Sequence, residues 1–396
     1  FISMENNDLR KKSLDAIDKV KWIPERGKNR IKSMVETRPD WVISRQRAWG
    51  VPLALFVNKK SGELLKDNAV NSRIFELFKS EGSDSWFIRE DKDFLGEKYN
   101  SDDWEKVNDI LDVWFDSGCT HSFVLEGKKG LGWPAQLYLE GSDQHRGWFQ
   151  SSLLESCGTR GEAPYESVLT HGFVVDKNGR KMSKSEGNYV SPDELIDKYG
   201  ADVVRLWAVS VDFTEDMKIG QEVMQSNIEA YRKIRNTFRF LLGNLNNFSD
   251  DETVEYKDLP ELERYILHRL SEVNDVILDG YDKYDLKIVF QNLLNFSNLD
   301  LSSFYFDIRK DSLYCDSKNS LSRKSCRTVL DILFKHLTKW FAPILCFTCE
   351  EVWLSRHPND EQSIHEFTFE KPNKDWIDKE LHEKWEKIRS VRKVVT

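Results

Sequence analysis

The sequence predicts an α/β region followed by an all-α helix bundle, and three observations carry that expectation. Between Ile110 and Val211, short apolar runs alternate with helical segments, the mark of a sheet with crossover helices. After Gly220, apolar residues recur at three- and four-residue spacing to the end of the chain. From Val51 to about Val107 the chain is polar and charge-rich, which sets off the α/β pattern from what precedes it.

The opening stretch to about Pro39 is charged, holds one apolar-periodic segment, and reads as a connector. Trp41-Val42-Ile43-Ser44 looks like a buried strand, followed by the basic and aromatic turn Arg45 to Gly50. The polar stretch 51–107, with a helical patch at Ile74 to Phe78, reads as a surface insertion. Gln136 to Leu139 is a predicted strand that ends in Glu140-Gly141-Ser142, and Asp143 to Cys157 a predicted helix. Ser167 to Val175 is another strand, followed by a polar loop. Ser191-Pro192-Asp193-Glu194 then announces a helix through a Ser cap, Pro at the first helical position and early acids. Leu262, Ile266, Leu270, Val273 and Ile277, with Leu286 to Leu293 and Val329 to Leu337, mark a helix bundle. The expected segments are 1–53 as connector and re-entry, 54–107 as insertion, 108–218 as the α/β part and 219–396 as the helical part.

A chain of 396 residues, 39% hydrophobic, is long enough for two or three cored domains, which argues against disorder or a fibrous fold. There is no uncharged apolar run of about eighteen residues, and the start is neither a basic-apolar signal nor a transit peptide. A soluble, cytoplasmic protein without membrane contact is expected. The first residue is not Met and the last stretch is charged and helix-like without a stop signal, so both ends read as cut. Six scattered cysteines fit reduced thiols better than a disulfide framework. Cys346-Phe347-Thr348-Cys349 is a lone CxxC with no further ligands at short spacing, so two buried helix residues are expected there and no structural metal. The net charge of −9 argues against a nonspecific nucleic-acid binder. Basic residues still cluster at Arg232, Arg235 and Arg239 and at Arg323, Lys324 and Arg327, either as a nucleic-acid footprint or as a solvated helix face.

The most informative segment is Asp176 to Asn188, which contains Lys181-Met182-Ser183-Lys184-Ser185. Two lysines and two serines in a short loop between a strand and a capped helix can surround a polyphosphate. Lysine is a flexible point charge that can follow a leaving pyrophosphate, and Gly179 and Gly187 give the loop freedom to close and reopen. By composition alone an ordinary exposed basic turn is the better account, since most Lys/Ser loops are that.

The five residues resemble the KMSKS signature of class I aminoacyl-tRNA synthetases. Leu111 to Gly118, Tyr138 to Phe149 and Trp41 to Pro52 resemble three further segments of that class, of the isoleucyl, bacterial type. The resemblance implies the second half of a Rossmann-type catalytic domain followed by an anticodon-binding bundle. It implies an enzyme that activates L-isoleucine with ATP and Mg2+ and transfers it to tRNA(Ile), acting as a monomer, with no zinc in this segment. Valyl- and leucyl-tRNA synthetases, or a noncatalytic tRNA-binding relative, are the alternatives.

By position in the family, Lys184 contacts ATP with Lys181 assisting, and Ser183, Ser185 and His145 belong to the same ATP site. Glu140 matches the position that holds the aminoacyl-adenylate, with Gly141, Asp143 and Gln144 continuing the turn, while Trp114 and Trp148 wall the side-chain pocket. Plain core packing remains open for the two tryptophans, and a structural hydrogen-bonding role for His145 and His171. Ser302 to Asp311 and Trp340 to Leu345 resemble the anticodon-binding domain, so both basic clusters are expected to meet tRNA. No HIGH-type signature stands in the chain. Its expected position, and that of the editing insertion, precede Phe1, which leaves half of the ATP site outside this segment.

Overall fold

The computed structural model describes every residue except Ser183, Lys184, Glu186, Asp360 and Thr396, and the side chains of Lys393 and Val395. Chain packing divides it into two compact units, Phe1–His171 and Gly172–Thr396.

The first unit is built on a three-stranded parallel sheet in which Ser167–His171 lies between Lys21–Ile23 and Tyr138–Gly141. The outer strand Lys21–Ile23 comes from the stretch that reads as a connector, and the helices Leu9–Lys19 and Arg26–Glu36 flank it. Ile17, Trp22, Ile31 and Val35 from this stretch close one core with Phe149, Leu153 and Leu154 of the helix Trp148–Arg160. Burying side chains of this size stabilises by about 1.5–3 kcal/mol each. Its apolar residues are too widely spaced among charges to signal a core by themselves. The surface insertion likewise has its own small core, with fully buried Trp86 packed between Phe56 and Phe94 and a two-stranded antiparallel pairing of Phe56–Asn58 with Trp104–Lys106.

The strand expected over 167–175 is two strands, because the chain breaks at Gly172. There the Gly172 N–H donates to the Phe213 carbonyl at 2.9 Å, and a Cβ would lie 2.3 Å from the Glu215 backbone. The second piece, Val174–Val175, pairs in parallel with Met217–Lys218 inside the second unit. Ser191 caps the helix Pro192–Tyr199, its hydroxyl accepting the Asp193 N–H at 3.3 Å. Residues 172–218 pack with the bundle: Asp202 accepts the Thr348 N–H at 2.7 Å and its hydroxyl at 2.6 Å, and Arg205 donates to the carbonyls of Pro343 and Ile344. The α/β segment expected over 108–218 is therefore shared between the two compact units.

The long helices Gln221–Asn244, Glu261–Lys283 and Leu321–Phe341 surround a core that includes Leu267, Leu270, Phe334 and Trp340. The helix Leu286–Asn295 runs through a π-helical stretch, Phe296–Phe306, into Asp307–Tyr314. Inside it, Tyr305 donates to the buried Glu263 at 3.2 Å, and Arg309 forms a two-pronged bond to the same carboxylate at 2.6 Å.

Candidate active site

Glu140 stands at the carboxyl end of the parallel strand Tyr138–Gly141, paired in register with Thr170. Open α/β sheets bind ligands at such ends. Its side chain is exposed and one carboxylate oxygen accepts the Gly141 N–H at 3.1 Å. A Cβ on Gly141 would lie 2.7 Å from Oδ1 of the exposed Asp143, whose side chain closes over this turn.

The following 3₁₀ turn, Ser142–His145, is fastened from beneath. His145 is 2% exposed; its Nδ1 lies 2.7 Å from the Ser142 carbonyl and its ring stacks on Trp22 at 6.0 Å. Burial holds this imidazole below its usual range, hence neutral. A Cβ on Gly27 would meet its Nε2 at 2.7 Å. Gln144 accepts the Trp148 N–H at 3.1 Å through Oε1 and donates to the exposed Asp143 at 3.1 Å, which joins the turn to the helix.

Trp148 stacks face to face on Tyr138 at 4.2 Å and donates its indole N–H to the Ser117 carbonyl at 3.0 Å. Trp114 is 43% exposed, and its ring edge lies where a Cβ on Gly147 would come within 2.9 Å. Trp148 is thus partly core, while Trp114 presents an open indole surface. Asp112 positions Trp114 and stands outside the candidate set from sequence: 5% exposed, it accepts the Trp114 N–H at 3.2 Å, the Trp41 indole at 3.0 Å and Arg45 at 2.6 Å. An aspartate directly before a Val-Trp-Phe-Asp run is a helix-cap signal that could have revealed it.

The cationic loop belongs to the second unit. Asp176 ties its base, one carboxylate oxygen accepting the N–H groups of Asn178 and Arg180 at 2.9 Å and the other the Asn188 amide at 3.2 Å. These bonds, the Arg180 N–H first, hold its carboxyl below the usual range. Gly179 has φ +78°, in the left-handed region that glycine occupies at little cost. Lys181 is exposed, with its ammonium 5.6 Å from the Phe173 ring centroid, and Ser185 is exposed. Ser183 and Lys184 lie outside the described residues.

The two basic clusters differ. Arg232, Arg235 and Arg239 are exposed at helical spacing on Gln221–Asn244, and none forms an ion pair among the described residues. Arg235 and Arg239 border a groove of about 510 Å³ that Glu351 also lines. In the second cluster Arg327 stands apart from its neighbours. Arg327 is 7% exposed, pairs with Glu252 at 2.7 Å and donates to the carbonyls of Asn244 at 3.1 Å and Asn246 at 2.8 Å, so its charge is already matched inside the fold. Arg323 and Lys324 are half-buried.

Cys349 is fully buried, and burial drives its thiol well above the usual range, while Cys346 is half-exposed at the start of the helix Cys346–Arg356. The CxxC pair is therefore one buried and one half-exposed residue. Among the described residues, His268, Glu272 and His382 offer ligand atoms within 4.8 Å of one another. His268 Nδ1 accepts the Asp378 N–H at 2.9 Å, which puts the ring proton on Nε2, facing Glu272 at 3.3 Å. Arg269 also pairs with Glu272, so that carboxylate already faces a cation. Among the described residues no helix is long and apolar enough to cross a membrane.

Comparison with known proteins adds to this geometry. A family model described as tRNA synthetases class I (I, L, M and V) matches residues 1–220, and one described as anticodon-binding domain of tRNA ligase matches 263–396. Isoleucine--tRNA ligase of Pelagibacter ubique is 55% identical over 100% of this chain and 44% of its own length. That of Zymomonas mobilis is 55% identical over 98% and 42%. The chain thus spans less than half the length of these relatives. Among solved structures, a ternary LeuRS-tRNA-LeuAMS complex of Agrobacterium radiobacter K84 aligns with TM-score 0.64 at 17% identity over 86% of this chain and 44% of that one. Methionyl-tRNA synthetase of Mycobacterium tuberculosis with methionyl-adenylate gives 0.60 at 17% over 87% and 60%. At such identities these structures speak for the fold.

Proposed function

Because the chain belongs to the class I tRNA synthetases of the I, L, M and V group, we propose that it supplies the adenylate-holding and pyrophosphate-facing parts of an enzyme that charges tRNA(Ile) with L-isoleucine. The observation that carries this reading is the exposed Glu140 carboxylate at a strand end, next to a turn whose wall is the open indole of Trp114. An ammonium beside that carboxylate and a side chain against that indole describe a branched aliphatic amino acid, and the isoleucine--tRNA ligase relatives select isoleucine among them.

In the first step the amino-acid carboxylate attacks the α-phosphorus of ATP and pyrophosphate leaves. No protein base is required, so positioning and charge carry the catalysis. Lys184 and Lys181 supply charge to the departing phosphates, with Ser183 and Ser185 as hydroxyl donors, and Mg2+ arrives with ATP. Glu140 binds the ammonium, with Gly141, Asp143 and Gln144 shaping the turn. His145 serves beneath that turn, not on the nucleotide. Arg232, Arg235 and Arg239 contact tRNA phosphates, whereas Arg327 does not. The segments 1–53, 54–107, 108–218 and 219–396 serve as entry, insertion, catalytic half and anticodon-binding part. The enzyme acts as a cytoplasmic monomer.

ATP–pyrophosphate exchange by the full-length enzyme containing this chain tests the reading, with isoleucine, valine and leucine compared. Isoleucine is expected to give the highest kcat/KM, and Glu140→Gln to raise KM for isoleucine. Faster exchange with leucine, or exchange indifferent to Glu140, overturns it.

A further inference from the structure

One buried acid has no part in this chemistry. Glu155, on Trp148–Arg160, is 7% exposed, and neither carboxylate oxygen receives a well-formed hydrogen bond, although the Cys119 thiol stands beside it. Its oxygen lies where a Cβ on Gly118 would come within 2.3 Å, so the carboxyl is wedged against the end of the helix Val113–Gly118, which carries Trp114. Two bonds cross the same contact: Ser152 Oγ donates to the Gly118 carbonyl at 3.1 Å, and the Trp148 indole to the Ser117 carbonyl at 3.0 Å. The side chain thus bears on the end of the helix that carries Trp114, about two turns along its own helix from Trp148.

We propose that Glu155 is a positioning residue for the amino-acid pocket: its uncharged carboxyl seats Val113–Gly118 on Trp148–Arg160, and its ionisation loosens that seat. The proposal rests on the pocket assignment above and names what controls it. The titratable groups facing Glu155 are Asp116 and Cys119 from the 113–126 segment and Tyr138 from the strand. His121 is 1% exposed, with burial holding its imidazole below its usual range and neither ring nitrogen hydrogen-bonded. The nearby cation Arg160 is already paired with Glu126 at 2.5 Å. Among the described residues, the Cys119 thiol beside it favours the carboxylate less than burial opposes it. Burial accordingly pushes Glu155 up to about 8. The sign follows: an acid raised from 4.5 to about 8 stays neutral in the folded protein below that value, and the seat weakens as pH rises through it.

The test uses the full-length enzyme and reads KM for isoleucine and for ATP separately, from pH 7 to 9, in wild type and Glu155→Gln. In wild type, KM for isoleucine is expected to rise about tenfold while KM for ATP holds, and Glu155→Gln is expected to remove the rise. A rise that persists in Glu155→Gln, or that strikes ATP equally, overturns the proposal. In 5-fluorotryptophan-labelled enzyme, the ¹⁹F resonances of Trp114 and Trp148 should shift with a midpoint near 8 in wild type and stay fixed in the variant. This readout needs no turnover, so it judges Glu155 even where isoleucine-dependent exchange fails and the enzyme assignment falls with it. Should Glu155→Gln not fold, Gly118→Ala is expected to raise KM for isoleucine at pH 7 and Gly118→Ala/Glu155→Ala to restore it. An indifferent Gly118→Ala, or no restoration, refutes the wedge.

Discussion

The turn after Glu140 and the loop after Asp176 are both short polar segments at strand ends, yet they are built in opposite ways. In the first, each bend has a buried support: His145 on the Ser142 carbonyl and Trp22, Gln144 on the Trp148 N–H, Trp148 on Tyr138. In the second, the half-buried Asp176 accepts three bonds at the base, Asn188 also donates to the Lys181 carbonyl, and the Lys181 ammonium lies near the Phe173 ring. A group that must discriminate between methylenes needs fixed walls, whereas charge that follows a departing anion needs freedom. The two arginine clusters repeat the contrast, with Arg327 matched inside the bundle and Arg235 and Arg239 open to solvent.

Substitutions should sort along that line. Arg327→Ala leaves Glu252 without its partner and is expected to lower unfolding free energy by about 3–5 kcal/mol in denaturant titration, without changing the salt dependence of tRNA binding. An unchanged melting curve would place Arg327 with the free cations. Lys184→Ala is expected to slow pyrophosphate exchange by about 10²–10³-fold while leaving the melting temperature alone, since a contact made in the transition state carries little folding energy. A loss of stability in place of rate would erase the distinction between loop and turn. Smaller still, Arg235→Ala with Arg239→Ala should weaken tRNA binding and flatten its log–log salt slope by about two, roughly one per phosphate contact removed. An unchanged slope would make that groove a solvated face.

Local signals were legible where chain neighbours decide the structure. Ser191-Pro192 starts its helix as the capping residues require, and the strand predicted over Gln136 to Leu139 appears two residues later as Tyr138–Gly141, still ending beside Ser142. Decisions made by distant partners were hidden. Trp22 enters the sheet from a charged opening because Tyr165 and His145 wait for it, and Gly172 breaks a continuous apolar run because Glu215 approaches its backbone. Arg327 looks like any cation in a basic run until Glu252, 75 residues away, takes its charge. In the site, the candidate residues were readable from motif order and Asp112 from its place before the Val113–Asp116 run, whereas Glu155, set against Gly118 37 residues away in sequence, carried no local signal.

The most direct measurement is a crystal structure of the full-length enzyme with isoleucyl-sulfamoyl-adenosine, a nonhydrolysable adenylate mimic. The account predicts the ligand ammonium on the Glu140 carboxylate and its branched side chain against Trp114 and Trp148. A ligand bound away from Glu140, or a side chain lying outside those two indoles, would contradict it.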